Sequence, residues 1–292
     1  MPLFASQGSS SIVPAVERGV ALRTVVKMPT DDQLLSSFET LALAAGRLVM
    51  DIFVRGCEVG HKADESPVTL ADREAEKIIL QGLRETCPSI PVIAEEAVAA
   101  GDYPADPGDE FLLVDPLDGT REFIDRRAEF TVNIALVRNA VPVLGVVYAP
   151  ASGVLFSGLQ GRAERVETAD GGAIVSRRLV RARRPGAVPV VVASRSHRSE
   201  ETDRYITALH QAEIVSIGSS LKFCMLASGE ADLYPRFSKT MQWDTAAGDA
   251  VLRAAGGMTS TVDGQPLAYL PRDGAGAERF ANPWFIARGA EG

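Results

Sequence analysis

The chain's 292 residues are 46% hydrophobic and 23% charged, the balance of an ordinary globular protein with room for a sizeable core and somewhat large for one compact domain. Acidic residues outnumber basic ones by 38 to 30, so a sequence-independent grip on nucleic-acid phosphates, which relies on clustered cations, is not expected. No segment approaches the ~18 consecutive apolar residues of a membrane span, and Cys57, Cys87 and Cys224 lie far apart without Cys-x-x-Cys spacing, as expected of free thiols in a reducing compartment.

Residues 1–29 hold scattered Ser, Pro and Arg without a continuous apolar core; they read as an extension rather than a secretory signal, with Met28 as an alternative start. From Thr30, Leu34, Phe38, Leu41, Ala45, Leu48 and Ile52 recur at helical spacing behind Asp31 and Asp32, which predicts a core helix. A second helix is expected from Thr69 to the residue before Pro88. Two apolar runs then end in acid: Ile90 to Ala94 before Glu95-Glu96, and Phe111 to Val114 before Asp115. Three strand-like stretches, Phe130 to Val137, Val141 to Tyr148 and Gly153 to Gly158, predict an antiparallel meander.

From Val188 strands and helices alternate: Val188 to Ala193, Glu200 to His210, Ile214 to Ile217, Ser219 to Ala227, Asp232 to Tyr234 and Trp243 to Ala255. The fold class is therefore α/β, with an α+β first half over 30–184 and an α/β second half over 185–292. The boundary falls in the basic, turn-rich stretch Arg177 to Pro185, read as a solvated inter-domain strand face.

Three acidic elements carry the chemistry. In Asp115-Pro116-Leu117-Asp118-Gly119-Thr120 the proline is expected to force a turn after the strand, so that both carboxylates converge on one point. Oxygen-only ligands suit magnesium, and a helix starting at Gly119 and Thr120 would offer its backbone N–H groups to an anion. Glu95-Glu96 and Trp243-Asp244 are weaker alone, where a solvated acid pair and an ordinary helix cap are the plain readings.

In this order the three elements resemble the inositol monophosphatase superfamily, from about Thr30 to the C-terminus. Two residues separate Asp115 from Asp118, which sets the motif apart from the Asp-x-Asp of haloacid-dehalogenase phosphatases. The resemblance implies a layered αβαβα sandwich of the sugar-phosphatase type with its site in a cleft, two or three Mg2+ ions, and sensitivity to lithium and calcium. It implies that Glu95, Asp115 and the Leu117 carbonyl hold one ion and that Asp115, Asp118 and Asp244 hold a second, while Asp72 and Thr120 orient an attacking water. Glu95, like Asp72 and Thr120, thereby counts among the catalytic residues.

The second half resembles the bacterial 3'(2'),5'-bisphosphate nucleotidases of sulfur metabolism in Ser194-Arg195-Ser196-His197, in Gly218-Ser219-Ser220-Leu221-Lys222-Phe223-Cys224 and in Ala231-Asp232-Leu233-Tyr234-Pro235-Arg236-Phe237. That implies conversion of adenosine 3',5'-bisphosphate to AMP and phosphate, with Gly119, Thr120 and Asp244 also touching substrate. His197 and Ser219 would then lie along the nucleoside, and Lys222 and Arg236 would bind the uncleaved phosphate. An inositol or sugar monophosphatase shares every metal ligand and is the first alternative; a non-catalytic nucleotide-binding module is the second. The expected partner is a small molecule, with no nucleic acid, and the expected location is the cytoplasm, with a peripheral position at the inner membrane face as a variant.

Overall fold

In the computed structural model, residues 28–62, 67–195 and 198–290 are described. Helix α1 (Asp31–Arg55) starts in a capping box, in which Thr30 Oγ1 accepts from the Gln33 N–H and Gln33 Oε1 accepts from the Thr30 N–H. A short hairpin follows, β1 (Val59–His61) with β2 (Pro67–Thr69), leading into α2 (Leu70–Thr86). Next come β3 (Val92–Ala94), α3 (Glu95–Ala99), β4 (Glu110–Asp118) and α4 (Thr120–Ile124). Five antiparallel strands complete the first half: β5 (Thr131–Arg138), β6 (Val141–Ala149), β7 (Val154–Leu159), β8 (Arg162–Thr168) and β9 (Ile174–Val180).

Strands β3 to β9 form one seven-stranded sheet in chain order, parallel only at β3 and β4. The remaining elements are β10 (Val190–Ser194), α5 (Glu200–Ala208), β11 (Glu213–Ile217), α6 (Leu221–Ala227), β12 (Leu233–Arg236), α7 (Gln242–Ala254), β13 (Met258–Thr261) and β14 (Phe285–Arg288). Their five strands make a second sheet in the order β11, β10, β12, β14, β13.

Three apolar layers bind five structural layers into the expected αβαβα sandwich. Phe38, Ala45 and Val49 of α1 and Ala75 and Ile79 of α2 pack on Val132, Ile134, Leu144 and Val146 of the first sheet. The opposite face, with Val137, Val147 and Phe156, meets Phe223 of α6, Trp243, Ala247 and Val251 of α7, and Phe285 of the second sheet. Ile206 of α5 covers Val191 and Ala193 outside. Helix α7 sits directly on the first sheet because Gly145 and Gly158, paired across β6 and β7, leave room for its backbone; a Cβ at Gly145 would meet Ala247 O at 2.3 Å.

Several sequence expectations need correction. Strands β8 and β9 extend the expected meander, and β13 and β14 complete the second sheet; of these only the end of β9, from Arg177, was expected as a strand, and as an inter-domain one rather than part of the sheet. The charged residues of β8 and β9, Arg162, Glu164, Arg165, Glu167, Arg177 and Arg178, interrupt the apolar alternation, since the edge strand β9 and its neighbour β8 bury few side chains. The Arg177 to Pro185 run is not uniformly solvated. Arg177 Nη1 donates to the buried Glu39 carboxylate of α1 at 2.9 Å and to Glu164 at 3.1 Å. Arg183 pairs with the fully buried Asp232, Nε to Oδ1 at 2.8 Å, where Val190 N–H also donates to Oδ2 at 2.7 Å.

Candidate active site

The Asp115-Pro116-Leu117-Asp118 segment lies inside β4, where a bulge replaces the expected turn. Asp115 pairs with Asn133 and Asp118 with Thr131, so β4 has one residue more than β5 in this interval. Side chains three apart on a regular strand point to opposite faces; the extra residue restores the parity, and both carboxylates line one cavity. Pro116, which has no N–H to give, fits a break in the ladder. Gly119 then turns the chain into α4 at φ 97°, a left-handed conformation, and a Cβ there would lie 2.9 Å from Glu129 O.

The cavity, of about 470 Å³, opens between the two sheets and is lined by Glu95, Asp115, Leu117, Asp118, Gly119, Thr120, Ser219, Lys222, Arg236 and Asp244, among others. One carboxylate oxygen each from Glu95, Asp115 and Asp244 lie within 4.8 Å of one another. Burial, and then mutual repulsion, drive the proton affinities of Asp115 and Asp244 well above the usual carboxylate range. Three converging acids with this strain, and only oxygen donors, fit a hard divalent cation. Asp118 stands outside that trio: its Oδ2 accepts from Ser220 Oγ at 2.9 Å, and burial raises its carboxyl against the opposing pull of Lys222.

Asp72 serves two elements at once. It closes the capping box of α2, where Oδ2 accepts from both the N–H and the Oγ1 of Thr69 at 2.7 Å. Its Oδ1 accepts from Thr120 Oγ1 at 3.0 Å, and the same hydroxyl is 3.2 Å from the Leu117 carbonyl. Asp244 is likewise fixed by its own helix, Oδ2 accepting from Met241 N–H at 2.8 Å.

The profile of the inositol monophosphatase family matches residues 30–289. The chain belongs to that family. The 3'(2'),5'-bisphosphate nucleotidase CysQ of Shigella flexneri is 46% identical over 249 residues, covering 84% of this chain and 95% of the relative. The protein of the same name from Buchnera aphidicola is 39% identical, covering 81% of this chain and 88% of its own. Among solved structures, CysQ from Bacteroides thetaiotaomicron superposes with a TM-score of 0.72 at 38% identity, covering 88% of this chain and 98% of that one. An inositol monophosphatase of Thermotoga maritima gives 0.68 at 25% identity, covering 87% and 91%.

Within this family fold the second half brings two cations to the carboxylates. Lys222 is buried, its Nζ donating to the carbonyls of Ser219 and Ile217 and lying 5.4 Å from the centre of the Tyr234 ring. Burial pushes its pKa down to about 8, although Asp118 works in the other direction. Arg236, 7% exposed, donates Nη2 to Lys239 O at 2.9 Å, while its Nε is buried without a partner among the described residues. Ser219, at φ 52°, lines the same cavity. His197 lies outside the described residues.

Four further residues at the site went unread in the sequence. Lys62 Nζ sits 2.6 Å from both Glu95 Oε1 and Glu96 Oε1; burial opposes its charge, but the two carboxylates outweigh that and strengthen its hold on the proton. Glu76 Oε2 accepts from Glu96 N–H at 2.8 Å, and burial raises Glu76 and Glu96 each to about 7. Ser220 and Asn133 complete the set, Asn133 Nδ2 donating to Ser220 Oγ at 2.9 Å. Asn133 had a visible signal, an amide in the otherwise apolar run Val132 to Val137; Lys62 had none, since only the β1–β2 hairpin brings it to α3.

Proposed function

We propose that the chain is a magnesium-dependent phosphomonoesterase of the 3'(2'),5'-bisphosphate nucleotidase type, cleaving adenosine 3',5'-bisphosphate to AMP and phosphate. One observation carries the reading: a single cavity holds the Glu95, Asp115 and Asp244 cluster together with two buried cations, Lys222 and Arg236, the latter with an N–H unsatisfied among the described residues. Hydrolysing one phosphate while retaining another needs both halves of that arrangement. The identity of 46% to a curated nucleotidase across most of both chains supports it.

Glu95, Asp115 and the Leu117 carbonyl would hold one magnesium, and Asp115, Asp118 and Asp244 another, with two or three ions in turnover. When bound, such ions lower the pKa of water and offset charge on the attacking and leaving oxygens. The chain's own part is orientation. Thr120 Oγ1 donates a hydrogen bond to Asp72 Oδ1, which would leave its hydroxyl lone pairs to accept from a water in the cavity. With Asp72 Oδ2 taken by Thr69, Oδ1 is the oxygen left to accept a proton, and burial raises its affinity for one. Gly119 and Ser219 flank the substrate, and His197 is assigned to the nucleoside.

Among the described residues no helix is long and apolar enough to cross a membrane, and a cytoplasmic location is part of the proposal. Phosphate release from adenosine 3',5'-bisphosphate and from inositol 1-phosphate, with magnesium present, tests the reading. A higher kcat/KM for the bisphosphate is expected. Preference for inositol 1-phosphate would make the protein a monophosphatase, and no release from either would leave a binding module.

A further inference from the structure

Asn133 and Ser220 are 1% and 2% exposed, polar residues in the apolar layer between the first sheet and helices α6 and α7. Asn133 spends a buried amide on a single side-chain partner among the described residues: Nδ2 donates to Ser220 Oγ at 2.9 Å, and Oδ1 has none. An amide kept under these conditions carries a desolvation cost that an apolar residue would avoid. Ser220 Oγ in turn lies 2.9 Å from Asp118 Oδ2 and 2.6 Å from the Asp244 carbonyl.

A serine hydroxyl has one proton and two lone pairs. Asn133 occupies a lone pair, which stops the hydroxyl from turning toward the sheet and leaves its proton for Asp118 Oδ2 or Asp244 O. Both acceptors belong to residues assigned to the metal site, one through its side chain and the other through its main chain. Asp118 hangs from β4, Asp244 from α7 and Ser220 precedes α6, so the hydroxyl joins all three.

We propose that Asn133 and Ser220 are positioning residues, a buried amide–hydroxyl relay that presets Asp118 against Asp244 for magnesium. The inference rests on the metal-site reading above. Partners in the layer behind metal ligands typically contribute about 10- to 100-fold in affinity. Residues acting as one unit should also be non-additive.

Magnesium binding is measured by calorimetry on the purified protein, with the thermal midpoint of the magnesium-free protein read in parallel. Ser220→Ala and Asn133→Leu should each weaken binding roughly tenfold, the double variant should lose no more than either, and Ser220→Thr, which keeps the hydroxyl, should restore affinity. Asn133→Leu keeps the volume while removing the amide, and so reports on the relay even where Ser220→Ala fails to fold. Wild-type binding in both variants would overturn the relay, as would losses that add. An equal loss in Ser220→Thr would assign the effect to packing and also overturn it. No magnesium binding by the wild type would instead overturn the metal-site reading.

Discussion

Replacing Arg236 with Ala separates the retained phosphate from the cleaved one. Arg236 is 7% exposed, ends β12 and lines the cavity, and its Nε is buried without a partner among the described residues. A phosphate bound there gains a charge-assisted hydrogen bond in a poorly hydrated place, worth about 2 kcal/mol, or about 30-fold. Because that contact exists before and during the reaction, its loss should appear mainly in KM for adenosine 3',5'-bisphosphate. A second effect runs alongside. The variant also frees Lys239 O, an acceptor of the charged guanidinium, and the loss of that bond, about 1.5–3 kcal/mol, falls on stability and on both substrates alike. Inositol 1-phosphate, with no second phosphate, should therefore change little, and the ratio of the two kcat/KM values isolates the cation. Adding Lys222→Ala should deepen the bias toward the monophosphate. Equal losses on both substrates would mean that Arg236 supports the strand end or the cleaved phosphate, and the assignment of the second subsite would fail.

Asp118→Asn should lower kcat by roughly a thousandfold, since charge next to the reacting centre matters most in the transition state; near-normal turnover in a phosphate-release assay would remove Asp118 from the metal site. Millimolar-range lithium, with too little charge, and calcium, which prefers longer and looser coordination, should each inhibit magnesium-dependent turnover, and an indifferent enzyme would contradict the proposed ion site. Asp232 gives a test on stability alone. Burial alone would raise its carboxyl, but the hydrogen bonds from Arg183 and from Val190 N–H outweigh it and hold the carboxyl below its usual value. A carboxylate depressed in the folded state stabilises above its unfolded pKa of about 3.9, and that stabilisation is lost as the pH falls through the folded value. Asp232→Asn should thus cost about 2 kcal/mol at neutral pH, and the gap from wild type should close on acidification below about pH 4, as read by calorimetric unfolding.

The acidic motifs were legible because each follows an apolar run that has to be buried, and charge at the end of a buried run is costly without a task. The helices were legible for a related reason: Thr30, Asp31 and Asp32 mark the start of α1, Thr69 and Pro88 bound α2, and the apolar residues of α1 keep a regular spacing. What the motifs did not reveal was parity. From Asp115 and Asp118 alone, a turn and a bulge both bring two carboxylates together, and only the pairing of Asp115 with Asn133 and of Asp118 with Thr131 decides between them. That same pairing sets Asn133 behind the site, where it reaches Ser220 from a distant part of the chain. Strands β8 and β9 were hidden for the opposite reason, since strands at and next to the sheet edge that bury few side chains need not alternate cleanly, and Arg177 reads as solvent-facing until Glu39 of α1 lies beneath it. Asp72 holds both kinds of information in one carboxylate: the oxygen that caps α2 is written in a four-residue pattern, while the oxygen that meets Thr120 depends on β4 having bulged.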